Sequence, residues 1–574
     1  MWVLPFLYYN HAYPITTFYQ EWGAALLGLC AMPLLLGRRY WQQPEIPRVI
    51  LLPLGLLLLL LLQYLLGKIP SLEQVLLFTM YFLWMALLVM LGRRLRSELG
   101  LPLLAAVLAG FLVLGAELNA LAGFVQHYRW HSFLSAVVTV KNAAAVYGNI
   151  AQPNHYANYI VLGLVSLGLL HVRYSLRIWQ VSLLAAPLLF VLVLSGSRSA
   201  WLYLLFLIGI SYLWQRRDKA ILPFLRYAVL LLASFILMHF IVQMPMLMPQ
   251  SGLITSAGRM YGDVSSGGGS IRLYLWKESW LIFMHFPILG AGFGQFAWQH
   301  FQLAPEIQDI NISGLYNNAH NLVVQLAAET GLAGLSILFG SLILWARRAW
   351  CEHHTVEHWW GYALLAVLAI HSLLEYPLWY GYFIGIAAFL LGMLDSGGYR
   401  PAMRNMARLT VAVVLLCGVL SLVQLFQGYK KLEAALALRP VSGSAATYNV
   451  RLREHLLDAS EFVLLRPYAE LFMTGLIELN QDRLAEKLEL NERAMRFVPT
   501  ASVVYRQAWL LALSDRLAEA ELQLQQALWS YPGEFRNAYA KLEQMASKDP
   551  AHFSALLEFA TQKNEEYQRA VSGK

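Results

Sequence analysis

Apolar runs recur along this chain from its N-terminal region to about residue 427, and each is long enough to cross a membrane. A hydrocarbon core about 30 Å thick needs roughly 17 to 25 apolar residues per helical crossing. Lipid offers no partner to backbone N–H and C=O groups, so a chain of such runs is held to helices, which satisfy those groups internally. The composition agrees, with 58% of residues hydrophobic and 13% charged, well outside the range of soluble globular domains. The expected fold class is all-α: a polytopic integral membrane protein with about 12 or 13 transmembrane helices. Candidate spans fall at about 22–37, 49–66, 75–92, 100–120, 156–170, 180–195, 199–214, 222–243, 320–345, 360–375, 379–396 and 409–427. The character then changes. Residues 428–574 carry 18 Lys+Arg against 19 Asp+Glu with no spanning run, so the last 147 residues read as a soluble region following a membrane region of 1–427.

The opening "MWVLPFLYYN" has neither a basic stretch nor a small-residue cleavage site, so the spans themselves are expected to direct insertion. The three cysteines, Cys30, Cys351 and Cys417, lie in or beside spans without the paired spacing of a disulfide framework or metal knuckle. Cysteine chemistry is not expected.

Orientation follows from Lys/Arg asymmetry in short loops. The clusters Arg38/Arg39/Arg48, Arg93/Arg94/Arg96, Arg173/Arg177, Arg216/Arg217/Lys219, Arg347/Arg348 and Arg400/Arg404/Arg408 recur at every second connection and hold 16 of the 24 basic residues before 428. Placed in the cytoplasm, they leave the loops at 10–21, 67–74, 121–155, 196–198, 244–319 and 376–378, and the tail, on the outer face. Gln152, Arg198, Arg259, Arg272, His320 and Tyr376 are then expected at that one face, though they are far apart in sequence.

Arg198 lies in the short turn "SGSRSAW" between two spans, where an unpaired guanidinium is costly unless it meets an anion or water. It reads either as an arginine snorkelling to headgroups or as an anion contact. Arg272 follows the flexible "SSGGGS" at the start of the amphipathic "IRLYLWKESWLIF". Two guanidiniums together suit phosphate or pyrophosphate oxygens. His320, in "NNAHNLVVQLAAETG", reads either as a residue at a capped helix start, with Asn317 or Asn318 as the cap, or as a general base, the role imidazole fills most often near neutral pH. Glu329, in the same run, reads as a partner within the bundle. "EYPLWY" has an interfacial aromatic reading, but Glu375 beside Tyr376 adds a carboxylate able to orient the histidine or pair with an arginine. "QPNHYANY" sets Gln152, Asn154 and Asn158 around Pro153, as helix-start chemistry or as hydrogen-bonding groups for a sugar or phosphate.

Two patterns carry less weight. "GAGFGQF" (290–296) looks like a phosphate-cradling glycine loop but follows no βαβ strand, and a bend is expected. "CEHHTVEH" holds His354 and His358 one turn apart, on the side away from the other polar groups, and reads as a solvated loop. In the tail, "DRLAEKLELNERAMRFVP" (482–499) recurs as "DRLAEAELQLQQALWSYP" (515–532) at an offset of 33 residues, and Pro467 stands 32 before Pro499. Helical periodicity with Pro ending the second helix of each unit resembles tetratricopeptide repeats. The tail is expected to be a TPR-like helical array serving as a protein-docking surface or as a rigid cap.

Taken together, "AQPN" with "ANY", "GSRSAW", "NNAHNLVVQLAAETGLAG" and "HSLLEYPLWYGYF" resemble the O-antigen ligase/Wzy polymerase superfamily, most closely its bacterial protein O-oligosaccharyltransferases of the PglL type. The resemblance implies a multi-pass protein of the bacterial inner membrane with a large periplasmic loop at about 244–319, a periplasmic tail, and an active site facing the periplasm. It implies transfer of a preassembled glycan from undecaprenyl-pyrophosphate to Ser or Thr hydroxyls of an exported, pilin-like protein. No metal, cofactor, nucleotide sugar or nucleic acid is involved, and membrane lipids surround the enzyme. Carried onto this sequence, it makes His320 catalytic, Arg198 and Arg272 pyrophosphate contacts, and Gln152, Tyr376, Glu375, Asn321 and Asn154 further active-site residues. Direct displacement with inversion is the expected chemistry.

Against the family's pattern, "MWVLPFLYY" reaches only about halfway across a bilayer at 1.5 Å per residue, so a misassigned start or a partly inserted first segment is expected. Two rival functions stand beside this one. A ligase or polymerase acting on lipid-linked glycan shares the machinery but has no evident need for the tail. A lipid-linked sugar transporter would carry midplane polar residues and paired repeats, neither of which is seen.

Overall fold

The computed structural model describes residues 1–247, 255, 271–351, 355–401, 404–439 and 445–572. Arg259, the "SSGGGS" stretch and His354 lie outside the described residues. Within them the expected spans are all helical. The chain opens with α1 (Leu4–Leu7), α2 (Phe18–Ala31), α3 (Arg38–Gln42) and α4 (Leu51–Leu65). There follow α5 (Leu72–Leu99), α6 (Leu101–Tyr128), α7 (Pro153–Tyr174), α8 (Ile178–Leu194), α9 (Ser199–Gln215) and α10 (Leu222–Ile241). Beyond the long loop come α11 (Ile271–His285), α12 (Phe296–Ile307), α13 (Leu322–Cys351), α14 (Val356–Ser372), α15 (Gly381–Leu394) and α16 (Arg404–Leu436). Seven of these segments are long and apolar enough to cross a membrane: Arg48–Leu65, α5, α6, α7, Lys219–Ile241, Leu322–Ala349 and α16. Helices α8, α9 and α15 are apolar but shorter. The chain is thus a multi-pass membrane protein. Its only described strands, Ile46–Pro47 and Gly398–Tyr399, form a two-residue antiparallel pair.

Local chemistry sets the helix starts. Ser71 accepts from Gln74 N at the start of α5, and Pro102 opens α6 where its missing N–H costs nothing. Helices α5 and α15 pack closest through paired glycines: a Cβ on Gly92 would lie 2.2 Å from Phe389 O, and one on Gly392 1.9 Å from Val89 O. Small residues are what let membrane helices approach backbone to backbone. Three of the basic clusters meet at one end of the bundle. There Arg93 pairs with Glu45 at 2.5 Å and Arg408 Nε donates to Leu36 O at 2.9 Å.

One span departs from expectation. The run expected to be continuous at 320–345 is broken at Gly331, which takes φ 61° and ψ −158°. The "GAGFG" segment fills the break: Ala291 N donates to Ala328 O and Gly292 N to Glu329 O, both at 3.0 Å. A Cβ on Gly290 would fall 2.2 Å from the Glu329 carbonyl carbon, so backbone approach, not phosphate binding, accounts for the glycine. Glu329 Oε1 accepts from Phe296 N at 3.2 Å and from Gln325 Nε2 at 2.9 Å, within the bundle as expected.

After α16 the described tail holds α17 (Ala445–Ser460), α18 (Arg466–Met473), α19 (Leu484–Phe497), α20 (Ala501–Leu513), α21 (Leu517–Ser530), α22 (Pro532–Lys548) and α23 (Pro550–Ser572). The repeat is visible as α19 and α21, whose Arg483–Glu486 and Arg516–Glu519 pairs occupy matching positions. Pro499 stands just past the end of α19 at Phe497, as the sequence pattern was expected to mean, but the other two prolines start helices. Pro532 opens α22 and Pro467 lies in the first turn of α18, where the ring's fixed φ suits a helix start. Helix α12 ties this tail to the long loop: Phe301 is buried in the tail's apolar core, Arg496 lies 4.6 Å from the Trp298 ring centroid, and Gly314 N donates to Ser530 O at 2.8 Å.

Candidate active site

Three segments distant in sequence meet at the carboxylate of Glu375. The helix α14 ends at Ser372, so Glu375, expected inside a span, stands in the connection to α15 and is 3% exposed. Its Oε1 accepts from Asn154 Nδ2 at 2.7 Å and from Arg272 Nη2, and its Oε2 accepts from His320 Nδ1 at 2.9 Å. Asn154 is itself held, its Oδ1 accepting from Ser197 Oγ at 2.9 Å. This bond brings the "GSRS" turn to the cluster, and the neighbouring Arg198 is exposed beside it. Tyr376 sets its ring edge-on to His320, with centroids 5.1 Å apart.

Burial would raise the Glu375 carboxyl's pKa, but the hydrogen bond from His320 and the nearby Arg272 charge outweigh it and hold the group below the usual carboxylate range. A charged Glu375 makes His320 Nδ1 the donor, which leaves Nε2 with its lone pair free to take a proton. His320 adopts φ 51°, uncommon outside glycine, and its N–H donates to Asn318 Oδ1 at 3.2 Å. A recess beside it is lined by Asn318, His320, Asn321, Gln325, Tyr376 and Trp379.

One helix cap differs from expectation. Asn321, not Asn317 or Asn318, caps α13, its Oδ1 accepting from Val323 N at 3.0 Å and Val324 N at 3.2 Å. Gln152 caps α7 by accepting from His155 N at 2.5 Å. Both therefore have a structural bond at the place where the resemblance puts active-site residues. Asn158 lies deeper, donating to Val367 O at 3.4 Å.

Sequence reasoning missed a second buried chain. His155 Nδ1 and His371 Nε2 are 2.8 Å apart, and His371 Nδ1 lies 2.8 Å from Tyr203 Oη. His371 precedes Glu375 by four residues, one helical turn, a spacing that marks it once Glu375 is suspected. His155 also packs its ring edge against Tyr376, with centroids 5.8 Å apart.

With this geometry in view, the comparisons with known proteins become informative. Residues 181–339 match the family model of the O-antigen ligases, 146–171 that of protein glycosylation ligases, and 359–545 the C-terminal model of membrane-bound virulence-factor polymerases. Every residue around Glu375 falls in one of these segments. The resemblance read from the sequence is borne out, and the class it defines is an oligosaccharyltransferase, a membrane-bound glycosylation enzyme. More particularly, the chain is 25% identical over 499 residues to the general O-oligosaccharyltransferase of Acinetobacter baylyi, covering 84% of each chain. It is 24% identical over 373 residues to the ComP-specific O-oligosaccharyltransferase of the same organism, covering 62% of this chain and 63% of that one.

Proposed function

We propose that this protein transfers a preassembled glycan from undecaprenyl-pyrophosphate to Ser or Thr hydroxyls of exported proteins such as pilins, on the periplasmic side of the bacterial inner membrane. The observation that carries the reading is Glu375 bonded to His320 and Arg272 at once. One carboxylate orients the base and fixes a cation beside it.

The acceptor hydroxyl gives its proton to His320 Nε2 as its oxygen attacks the anomeric carbon of the first sugar. The bond from that carbon to the pyrophosphate oxygen breaks, its electron pair leaves with the phosphate, and the anomeric configuration inverts. Positioned general-base catalysis supplies roughly 10²–10⁴ in rate. Arg272 and Arg198 meet the charge growing on the leaving group, where preorganised donors act most strongly. Tyr376 flanks the imidazole, and Asn154 locks the carboxylate. Gln152 and Asn321 support the site by starting the helices that carry Asn154 and follow His320. The tail, residues 428–574, presents the acceptor protein.

The rival is a ligase or polymerase acting on lipid-linked glycan, which two of the matched families favour by name. Membranes that hold the protein and lipid A core, supplied with lipid-linked glycan and a purified pilin, decide between them. Glycan linked to Ser or Thr of the pilin is expected; glycan found only on lipid A core or as a longer lipid-linked chain overturns the proposal.

A further inference from the structure

At Pro153, the residue before Asn154, opens a cleft of about 470 Å³, within the size range of small-molecule sites. Its walls come from the N-terminal segment and the loop before α7, and include Tyr9, Asn10, His11, Asn142, Tyr147 and Pro153. No Asp, Glu, Lys or Arg lines it. The walls are built, not incidental. Buried Asn149 donates to Leu7 O and Val137 O, both at 2.9 Å, and its Oδ1 accepts from Thr139 N at 3.0 Å. Buried Gln126 accepts from Gly148 N at 2.9 Å and donates to Thr139 O at 2.8 Å. His11 is anchored against the Asn149 and Thr16 carbonyls at 2.9 and 3.2 Å. Tyr147 Oη donates to Val140 O at 2.9 Å and accepts from Asn142 N at 2.7 Å.

We propose that this cleft binds the sugars of the donor glycan that lie beyond the first one, the sugar that becomes linked to the acceptor, an assignment that rests on the transferase reading above. Tyrosine faces pack against the C–H faces of pyranose rings, side-chain amides pair with sugar hydroxyls, and walls without Asp, Glu, Lys or Arg suit an uncharged oligosaccharide better than a phosphate or an acidic peptide. The position fits as well. Pro153 in the wall is followed directly by Asn154, whose amide holds Glu375 at 2.7 Å, so the cleft adjoins the segment that carries part of the site.

The test compares two undecaprenyl-pyrophosphate donors, one carrying a single sugar and one an extended neutral oligosaccharide, in the purified full-length protein with pilin acceptor. Tyr9→Ala and Asn142→Ala, each alone, are expected to raise KM for the extended donor roughly tenfold, the loss of one stacking or amide contact. The single-sugar donor and KM for the acceptor stay at wild-type values, which also shows that the variants are folded. Variants equal to wild type on both donors, or impaired equally on both, overturn the cleft assignment alone. A KM change confined to the acceptor also overturns it and assigns the cleft to the acceptor. A wild-type protein that transfers neither donor overturns the transferase reading and this assignment together.

Discussion

Two buried glutamates near the same end of the bundle teach different lessons. Glu329 is 1% exposed and Glu375 3%, and each anchors a helix break or a helix end. Glu329 accepts from the backbone of Phe296 and the amide of Gln325, so its partners carry no charge and its task is to hold the glycine segment in the break of α13. Glu375 accepts from a guanidinium, an imidazole and an amide contributed by three separate segments. Burying two charges together is costly and is often no gain over apolar packing. A cluster that bears this cost at the surface of a recess therefore reads as chemistry, while the neutral cluster reads as scaffold.

The comparison breaks most readily at the side-chain partners. His320→Ala is expected to lower transfer by about 10²–10⁴ with helix content unchanged, whereas Glu329→Gln, which keeps an oxygen for Phe296 N and Gln325, leaves transfer within about threefold. A His320→Ala protein that transfers at the wild-type rate refutes the base assignment. Arg272→Ala removes both a leaving-group contact and the cation beside Glu375, and transfer falls by roughly 10²–10³. Arg272→Lys restores only part of this, because an ammonium lacks the planar fork; full rescue in a steady-state assay would show that charge alone suffices.

A smaller effect is visible in stability against pH. The Glu375 carboxyl is held below its ordinary range when folded, so its contribution is fully present above its unfolded pKa, about 4.3, and is lost as pH falls through the lower folded value. Thermal unfolding of wild type and Glu375→Gln should therefore differ by a constant amount above about pH 4.3 and converge in more acid solution. A difference that grows toward acid pH would reverse the sign of the argument. The smallest expected effect on transfer lies farthest from the glutamates. Phe301→Ala, at the junction of α12 with the tail, is expected to cost about 3 kcal/mol of stability there, to raise KM for the acceptor protein, and to leave the rate at saturating acceptor nearly unchanged.

The helices were legible because hydrophobic length and basic clusters act locally: every expected span holds a helix, seven of them long and apolar enough to cross a membrane, and clusters such as Arg93 and Arg408 meet at one end. The residues that gather at Glu375 were legible as a list, because polar groups near apolar runs are conspicuous. Their assignments were not all legible. Nothing in "NNAHN" says that Asn321 would be the cap and Asn318 the acceptor for His320 N, since every asparagine there satisfies the same local preference. The break at Gly331 was hidden because a positive φ is decided by the glycine segment some 40 residues earlier. The His155–His371–Tyr203 chain joins three helices and has no local mark in any of them.

The most direct test applies one substitution to both glutamates. Glu329→Gln keeps an oxygen for Phe296 N and Gln325 and loses no charged partner. Glu375→Gln loses the charge that faces Arg272 and leaves one oxygen, with an NH2 in place of the other, for the donors Asn154, Arg272 and His320. With purified protein, lipid-linked glycan and pilin acceptor, single-turnover transfer is expected to fall by roughly 10² for Glu375→Gln and to stay within about threefold of wild type for Glu329→Gln. Equal rates for the two variants would contradict the account, because the carboxylate that holds His320 and Arg272 would then matter no more than one that holds a loop.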